Sequence, residues 1–289
     1  MDLVSLINFA LNGLLLGGLF AITAFGFSII AGIMKIINVA HGDFAILAAY
    51  LTLSVMNLMK VDPLFALIIV APIMFGLGFL LQKILMNRML PKGANQIVMV
   101  TFALSIIIQN ILLLLFTYDA RSLIPPYLLV NIQLGGLNPS PRYMLGFISA
   151  LTIFAIIYLI FKRTFIGKAM RAVSLDSEAA KMVGIKSENM YSYAAGLAFL
   201  VTGVAGVLLG MVFTFYPDSG SIYTLLSFGV VVAGGLGSLK GSLLGGLIMG
   251  EALVFGGLFF GARFQLIFCY LLVLIILIIR PQGIFGRKL

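Results

Sequence analysis

Apolar residues run through this chain in long blocks, and the polar stretches between them are short. Asp2 to Lys35 encloses 32 uncharged residues, Lys92 to Asp119 encloses 26, and Glu188 to Asp218 encloses 29. About 20 apolar residues suffice for a helix to cross a bilayer core. The pattern predicts spans near 6–33, 42–59, 64–82, 95–117, 143–161, 191–214, 221–238, 241–262 and 264–280. Segment 221–238 carries Gly229, Gly234, Gly235 and Gly237 and could instead be a broken helix, so about 8–9 spans are expected. The expected fold is all-α, a polytopic transmembrane helical bundle forming a single domain over 1–289. Two connections are long. The first, 118–142, holds Pro125, Pro126, Pro139 and Pro141 with Gly135 and Gly136, which forbid a long helix. The second, 162–190, is the largest polar feature of the chain.

Composition and charge add an orientation. Hydrophobic residues make up 62% of the 289 positions and charged residues only 9%, against ~25% charged in a soluble domain. The net charge of +9 could suggest a nucleic-acid partner. The basic residues instead sit in short caps between apolar runs, the positive-inside pattern of a protein embedded in a lipid bilayer, and no nucleic acid is expected. Lys35, the group Lys83/Arg88/Lys92, the six from Lys162 to Lys186, Lys240 and the group Arg280/Arg287/Lys288 fall on one side. Lys60, Arg121, Arg142 and Arg263 fall on the other, so 14 of 18 basic residues share a side. The bias predicts an N-terminus outside and a C-terminus in the cytoplasm, with 118–142 outside and 162–190 inside. Met1-Asp2-Leu3 lacks a basic n-region, so the first apolar run is expected to be a retained span.

A few polar residues lie within the predicted spans. Glu251 sits mid-span, where a carboxylate costs ~2.5–3.5 kcal/mol unless it faces the bundle interior or is protonated. It reads as a substrate-ammonium contact, a gating hydrogen bond, or a neutral acid bonded to a neighbouring helix. Thr101, Ser105 and Gln109 recur at i, i+4, i+8. That stripe could line a translocation path or hydrogen-bond between helices. Asn38, His41 and Asp43 open the second span, either lining an inner vestibule or capping free N–H groups. With one His and one Cys in the chain, no metal site is expected, and His41 has no nucleophile partner that would make an enzyme. No cofactor is called for, and Cys269 reads as a small packed hydrophobe. Gly13/Gly17/Ala21, Gly206/Gly210 and Gly241/Gly245 are small-residue stripes that permit close helix packing.

Within 162–190, Arg171, Ser174, Glu178 and Lys181 recur at i, i+3, i+7, i+10, with Ala172, Leu175, Ala179 and Met182 one residue on. This is the pattern of a surface helix, with Asp176 or Ser177 able to cap its start and Gly184 its end. Periodicity leaves open a helix lying on lipid headgroups and a helix that docks a protein. Glu178-Ala179-Ala180, three residues, then Gly184 resembles the EAA-x3-G motif of ABC-importer permease subunits. Asn38-Val39-Ala40-His41-Gly42-Asp43-Phe44 after Gly26–Gly32 resembles the N-x-AHG(D/E)-F region of branched-chain amino acid permeases. So do Gly167–Ala172, Val231–Ser238 and the tail Arg280–Gly286. The resemblance runs from about residue 12 to 286. It departs downstream of Gly184, where Lys186-Ser187-Glu188-Asn189 replaces the I-x-L-P ending of sugar and oligopeptide permeases.

The resemblance implies a permease subunit of a branched-chain amino acid ABC importer, a multi-pass protein of a prokaryotic inner membrane. It implies a coupling helix (Arg171, Glu178, Ala179, Ala180, Gly184) seated on separate ATP-binding subunits. It also implies a second, related permease chain and an extracytoplasmic substrate-binding protein at 118–142. G-x4-G-K-[ST] does not occur, so ATP hydrolysis is expected elsewhere. Urea, short amides or another amino acid would fit the same architecture. A secondary transporter or channel is the competitor from another class, but paired intramembrane charges for ion coupling are lacking.

Overall fold

The computed structural model describes residues 2–133 and 135–286. Arg287 and Lys288, two of the residues counted in the charge bias, lie outside the described residues. Leu3–Met34 forms α1, and its 32 residues make it the longest helix. Lys35 ends it in a left-handed conformation, its N–H closing on the Ala31 carbonyl at 3.1 Å. Then come α2 (His41–Met59) and α3 (Pro63–Leu81), the latter running on through a π-type turn at Gln82–Met86. Next are α4 (Ala94–Phe116) and α5 (Pro141–Arg163). Two short helices follow, α6 (Phe165–Leu175) and α7 (Ser177–Met182). The chain closes with α8 (Ser187–Val212), α9 (Gly220–Gly234), α10 (Leu239–Phe260) and α11 (Gln265–Ile279). Among the described residues, seven helices are long and apolar enough to cross a membrane, and α9 and α11 are shorter apolar helices. All nine expected spans therefore appear as helices. Among its described residues before α5, the Pro-rich connection holds one short turn of helix, at Pro126–Leu128.

Helix α1 is the centre of the bundle. It runs antiparallel to α10, with Gly13 facing Glu251, Gly17 facing Gly246 and Leu247, and Gly32 facing Gly237. It runs parallel to α5, with Gly18 against Phe147. A side chain at Gly17 or at Gly206 would collide with backbone of the facing helix, so the expected small-residue stripes set the interhelical approach. With no hydrophobic drive between helices in lipid, this van der Waals fit supplies much of the cohesion.

The two halves follow the same course in opposite senses. Helix α1 is followed by a non-helical segment, 35–40, and then α2; α8 is followed by 213–219 and then α9. Helix α3 packs back on α8, as α10 packs back on α1. Helix α4 packs on α2, as α11 packs on α9. Helices α5–α7 connect the halves. This is an inverted-topology repeat, an arrangement that recurs in membrane transport proteins. Nine crossings put the chain ends on opposite faces. The face where α1 begins is here the N-face, and the face where α11 ends is the C-face.

Candidate functional site

The two non-helical segments lead back into the bundle, with Ile36, Asn38 and Ala40 buried in the first and Phe215 and Pro217 in the second. The His41 Nε2 is 2.8 Å from the carbonyl of Thr23, which is eleven residues before the end of α1. At 1.5 Å per residue the start of α2 lies about 16 Å back from that end, near the middle of a bilayer. Segment 35–40 therefore re-enters the bundle, and α2 begins inside it. The start of α9 lies at the same level, because Gly220 abuts Gly42 and Asp43 with no room for a side chain at either glycine.

Irregular backbone at this depth must find partners within the protein. Each group of Val39 does so. Its N–H donates to Thr101 Oγ1 of α4 at 3.3 Å, and its carbonyl accepts from Thr224 Oγ1 of α9 at 3.2 Å. Thr224 Oγ1 also accepts from the Gly42 N–H at 2.8 Å. The Asn38 carboxamide oxygen accepts from the Ala40 N–H at 3.1 Å, which is the local satisfaction expected of a residue just before a helix.

Asp43 stands at the crossing. It is 1% exposed, in the first turn of α2 and against the first turn of α9. Two helix N-termini present their positive ends to one carboxylate. Gln109 Nε2 of α4 donates to Asp43 Oδ1 at 2.9 Å and reaches Ser105 Oγ at 3.2 Å and Ser221 Oγ at 3.3 Å. Asp43 Oδ2 is buried without a hydrogen-bond partner. The structure thus brings together Asn38, His41, Asp43, Thr101, Ser105 and Gln109. Ser221 and Thr224 complete the cluster; in the sequence they are marked only by their place after Gly220 at the start of a short Gly-rich helix. The cavity beside it, walled by Asn38, Gln82, Thr101 and apolar side chains, has about 20 Å³ and admits one water.

Glu251 is not part of this cluster. It is half-buried on α10, its carboxyl set against Gly13, with Oε2 buried and unpartnered. One turn further along α10, Val254 lines a cavity of about 690 Å³ on the N-face. Asn12, Asn131, Asn138 and Arg142 supply its polar wall. Asn8 and Asn12 shape that wall by holding loop backbone: Asn138 N–H donates to Asn8 Oδ1 at 2.7 Å and Ser140 N–H to Asn12 Oδ1 at 2.8 Å. Tyr127 in the same loop donates to Asp62 at 3.0 Å, and burial with that bond pushes its phenol up to about 12.

On the C-face, Asp176 ends α6 and caps α7, accepting from the N–H groups of Glu178 and Ala179 at 2.9 and 3.0 Å. This splits the periodic stretch 171–182 into two helices, so the expected apolar face does not form one packed stripe. Leu175, Ala179 and Met182 are exposed, Met182 at 88%, while Met170, Val173 and Ala180 make the buried contacts. Gly184 ends α7 with φ of 84° and open space around it. Lys181 pairs with Glu178 at 2.9 Å, and that hydrogen bond raises the ammonium pKa. Ser187 Oγ donates to the Ser177 carbonyl at 3.2 Å, tying α7 to the start of α8. Arg171 lies apart from Glu178 and Gly184, on α6, where it lines a separate cleft.

Comparison with known proteins adds a family. The model described as branched-chain amino acid transport system / permease component matches residues 9–277. The high-affinity branched-chain amino acid transport system permease protein BraD of Pseudomonas aeruginosa is 28% identical, over 96% of this chain and 94% of that protein. The corresponding protein LivH of Escherichia coli K12 is 27% identical over the same shares of each. The fructose import permease protein FrcC of Rhizobium meliloti is 30% identical, but over 36% of this chain and 31% of its own. No solved structure matches.

Proposed function

Since the chain belongs to the family of branched-chain amino acid transport system permease components, we propose that it forms the membrane passage of an ABC importer for leucine, isoleucine and valine. It is a transporter's membrane subunit and not an enzyme. ATP hydrolysis falls to separate ATP-binding subunits. The N-face is the outside, where a substrate-binding protein delivers the amino acid to the cavity beside Asn12 and Arg142. A second, related permease chain completes the passage. Glu251, one turn beneath that cavity, and the Asp43–Gln109 crossing mark the route inward.

The observation that carries the coupling part is α7. It is a short helix capped at both ends, anchored by Ala180 and Ser187, and it presents exposed Ala179, Met182 and Val183 to the C-face solvent. An exposed apolar edge on an anchored helix suits a protein partner. Pushing α7 moves α8 directly, and α8 leads through 213–219 to the start of α9. That movement would part Gly220 and Ser221 from Asp43 and Gln109 and open the crossing.

The test is uptake in proteoliposomes holding this chain, its permease partner, the ATP-binding subunits and the binding protein. ATP-dependent accumulation of labelled leucine is expected, with competition by isoleucine and valine. Transport of urea or short amides without leucine would displace the substrate reading. Leucine flux that ignores ATP would displace the importer reading.

A further inference from the structure

We propose that the C-face cleft between α1, α5, α6 and the start of α10 is a binding site for the phosphate headgroup of an anionic phospholipid. The cleft has about 480 Å³ and is separate from the crossing and from α7. Lys162 of α5, Arg171 of α6 and Lys240 of α10 line it, and no Asp or Glu does. Among the described residues the ion pairs are Arg121–Asp119 and Lys181–Glu178, so none of the three cations has a carboxylate partner. The N-terminus of α10, a 22-residue helix, opens into the same space through Ser238, Leu239 and Lys240; Ser238 Oγ caps the Gly241 N–H at 3.1 Å, which leaves the Leu239 and Lys240 N–H groups without intrahelical partners. The first turn of a helix has N–H groups without intrahelical partners and carries the positive end of the dipole.

An independent feature also points to a ligand. Ser28 of α1 lines the cleft, is 1% exposed, and its hydroxyl has no hydrogen-bond partner. A buried hydroxyl donor beside three cations and a helix N-terminus suits phosphate oxygens. The surroundings select a lipid over a free anion. Tyr158 and Phe161 form an aromatic wall, with Lys162 Nζ 5.5 Å from the Tyr158 ring centre. Phe154 stacks on Tyr158 with 6.2 Å between ring centres, and Leu151, two turns before Tyr158 on the same face of α5, is exposed, continuing that wall along the membrane-crossing helix. Acyl chains can lie there while the headgroup occupies the cleft, as in basic pockets between spans. A bound lipid would hold α6 against α1, α5 and α10 and so set the base from which α7 projects.

The chain has no tryptophan, so Tyr158→Trp creates a single fluorescent reporter in the cleft wall and preserves the stacking on Lys162. The full chain with this reporter is placed in bilayer nanodiscs containing equal mole fractions of brominated phosphatidylglycerol or brominated phosphatidylcholine. Quenching should report an apparent preference for phosphatidylglycerol of roughly tenfold or more. Lys162→Gln, Arg171→Gln and Lys240→Gln together should abolish the preference, Ser28→Ala should weaken it, and Lys162→Arg with Lys240→Arg should retain it. Equal quenching by the two lipids, or a preference unchanged in the glutamine variant, overturns the proposal. Loss of the preference on adding millimolar inorganic phosphate at constant ionic strength assigns the cleft to free phosphate and overturns the lipid. Lys240→Gln alone, at an exposed position, repeats the test if the triple variant does not insert, and a full preference there also counts against the site.

Discussion

A carboxylate with one oxygen bonded and the other free is the sharpest feature at the scale of single residues. Asp43 Oδ1 is held by Gln109, while Oδ2 faces no donor although two helix starts point at it. Asp43→Asn keeps the volume and one oxygen acceptor but puts an amide donor where two helix N-termini already present donors. It should lower stability by about 1–2 kcal/mol and cut leucine uptake severely, read from thermal unfolding and vesicle transport side by side. Glu251 is the contrasting case, because its carboxyl meets α1 backbone at Gly13 and no polar partner. Glu251→Gln should leave folding and assembly intact and reduce uptake. Normal uptake kinetics in Glu251→Gln would assign that residue to packing, and normal uptake in Asp43→Asn would remove the crossing from the route.

At the scale of the element, the loop 162–190 resolves into α6 and α7 because Asp176 takes over the N–H groups of Glu178 and Ala179 and interrupts the helix. Gly184 then turns the chain with φ of 84°, a conformation that a β-branched residue adopts poorly. Gly184→Val should cost about 1–3 kcal/mol locally and redirect the end of α7. Glu178→Arg reverses a charge on the exposed side, where losing the Lys181 pair alone costs at most ~1 kcal/mol. Neither change touches the spans, so insertion should survive. Uptake should nevertheless collapse, and the ATP-binding subunit should co-purify poorly or hydrolyse ATP without responding to loaded binding protein. Normal import by both variants with the ATPase bound would dismiss the coupling role of α7.

For the whole molecule, the inverted repeat brings α1 in from one face and takes α11 out at the other, and the charge bias predicts which face is outside. Cys269 is fully buried, so it contributes little background to thiol labelling. In whole cells a cysteine replacing exposed Leu129 should react with an impermeant maleimide, and one replacing exposed Met182 should react only after permeabilisation. The opposite pattern would reverse the orientation and with it the roles given to the N-face cavity and to α7.

Sequence alone was enough for the all-helical class and, to within one, for the apolar helices. The bilayer demands long apolar runs with internally satisfied backbone, and such runs are written contiguously in the chain. A cap at Asp176 or Ser177 and the turn at Gly184 were legible, because capping is a contact between residues a few positions apart, but that the cap divides the stretch into two helices was not. The resemblance carried by Asn38–Phe44 and Glu178–Gly184 was legible for the same reason, being local in sequence. What only the tertiary structure decided depends on residues far apart in the chain. Nothing in 35–40 announces that it re-enters the bundle. That follows from Thr101 and Thr224 satisfying the two groups of Val39 across 62 and 185 positions. The stripe of Thr101, Ser105 and Gln109 had a direction only once Asp43 and Ser221 were found opposite it. Glu251 and Arg171 read as members of functional groups by residue type, yet packing set each apart, one against Gly13 and the other in the basic cleft. Helical periodicity says which residues share a face; the crossing of helices from the two halves decides what that face meets.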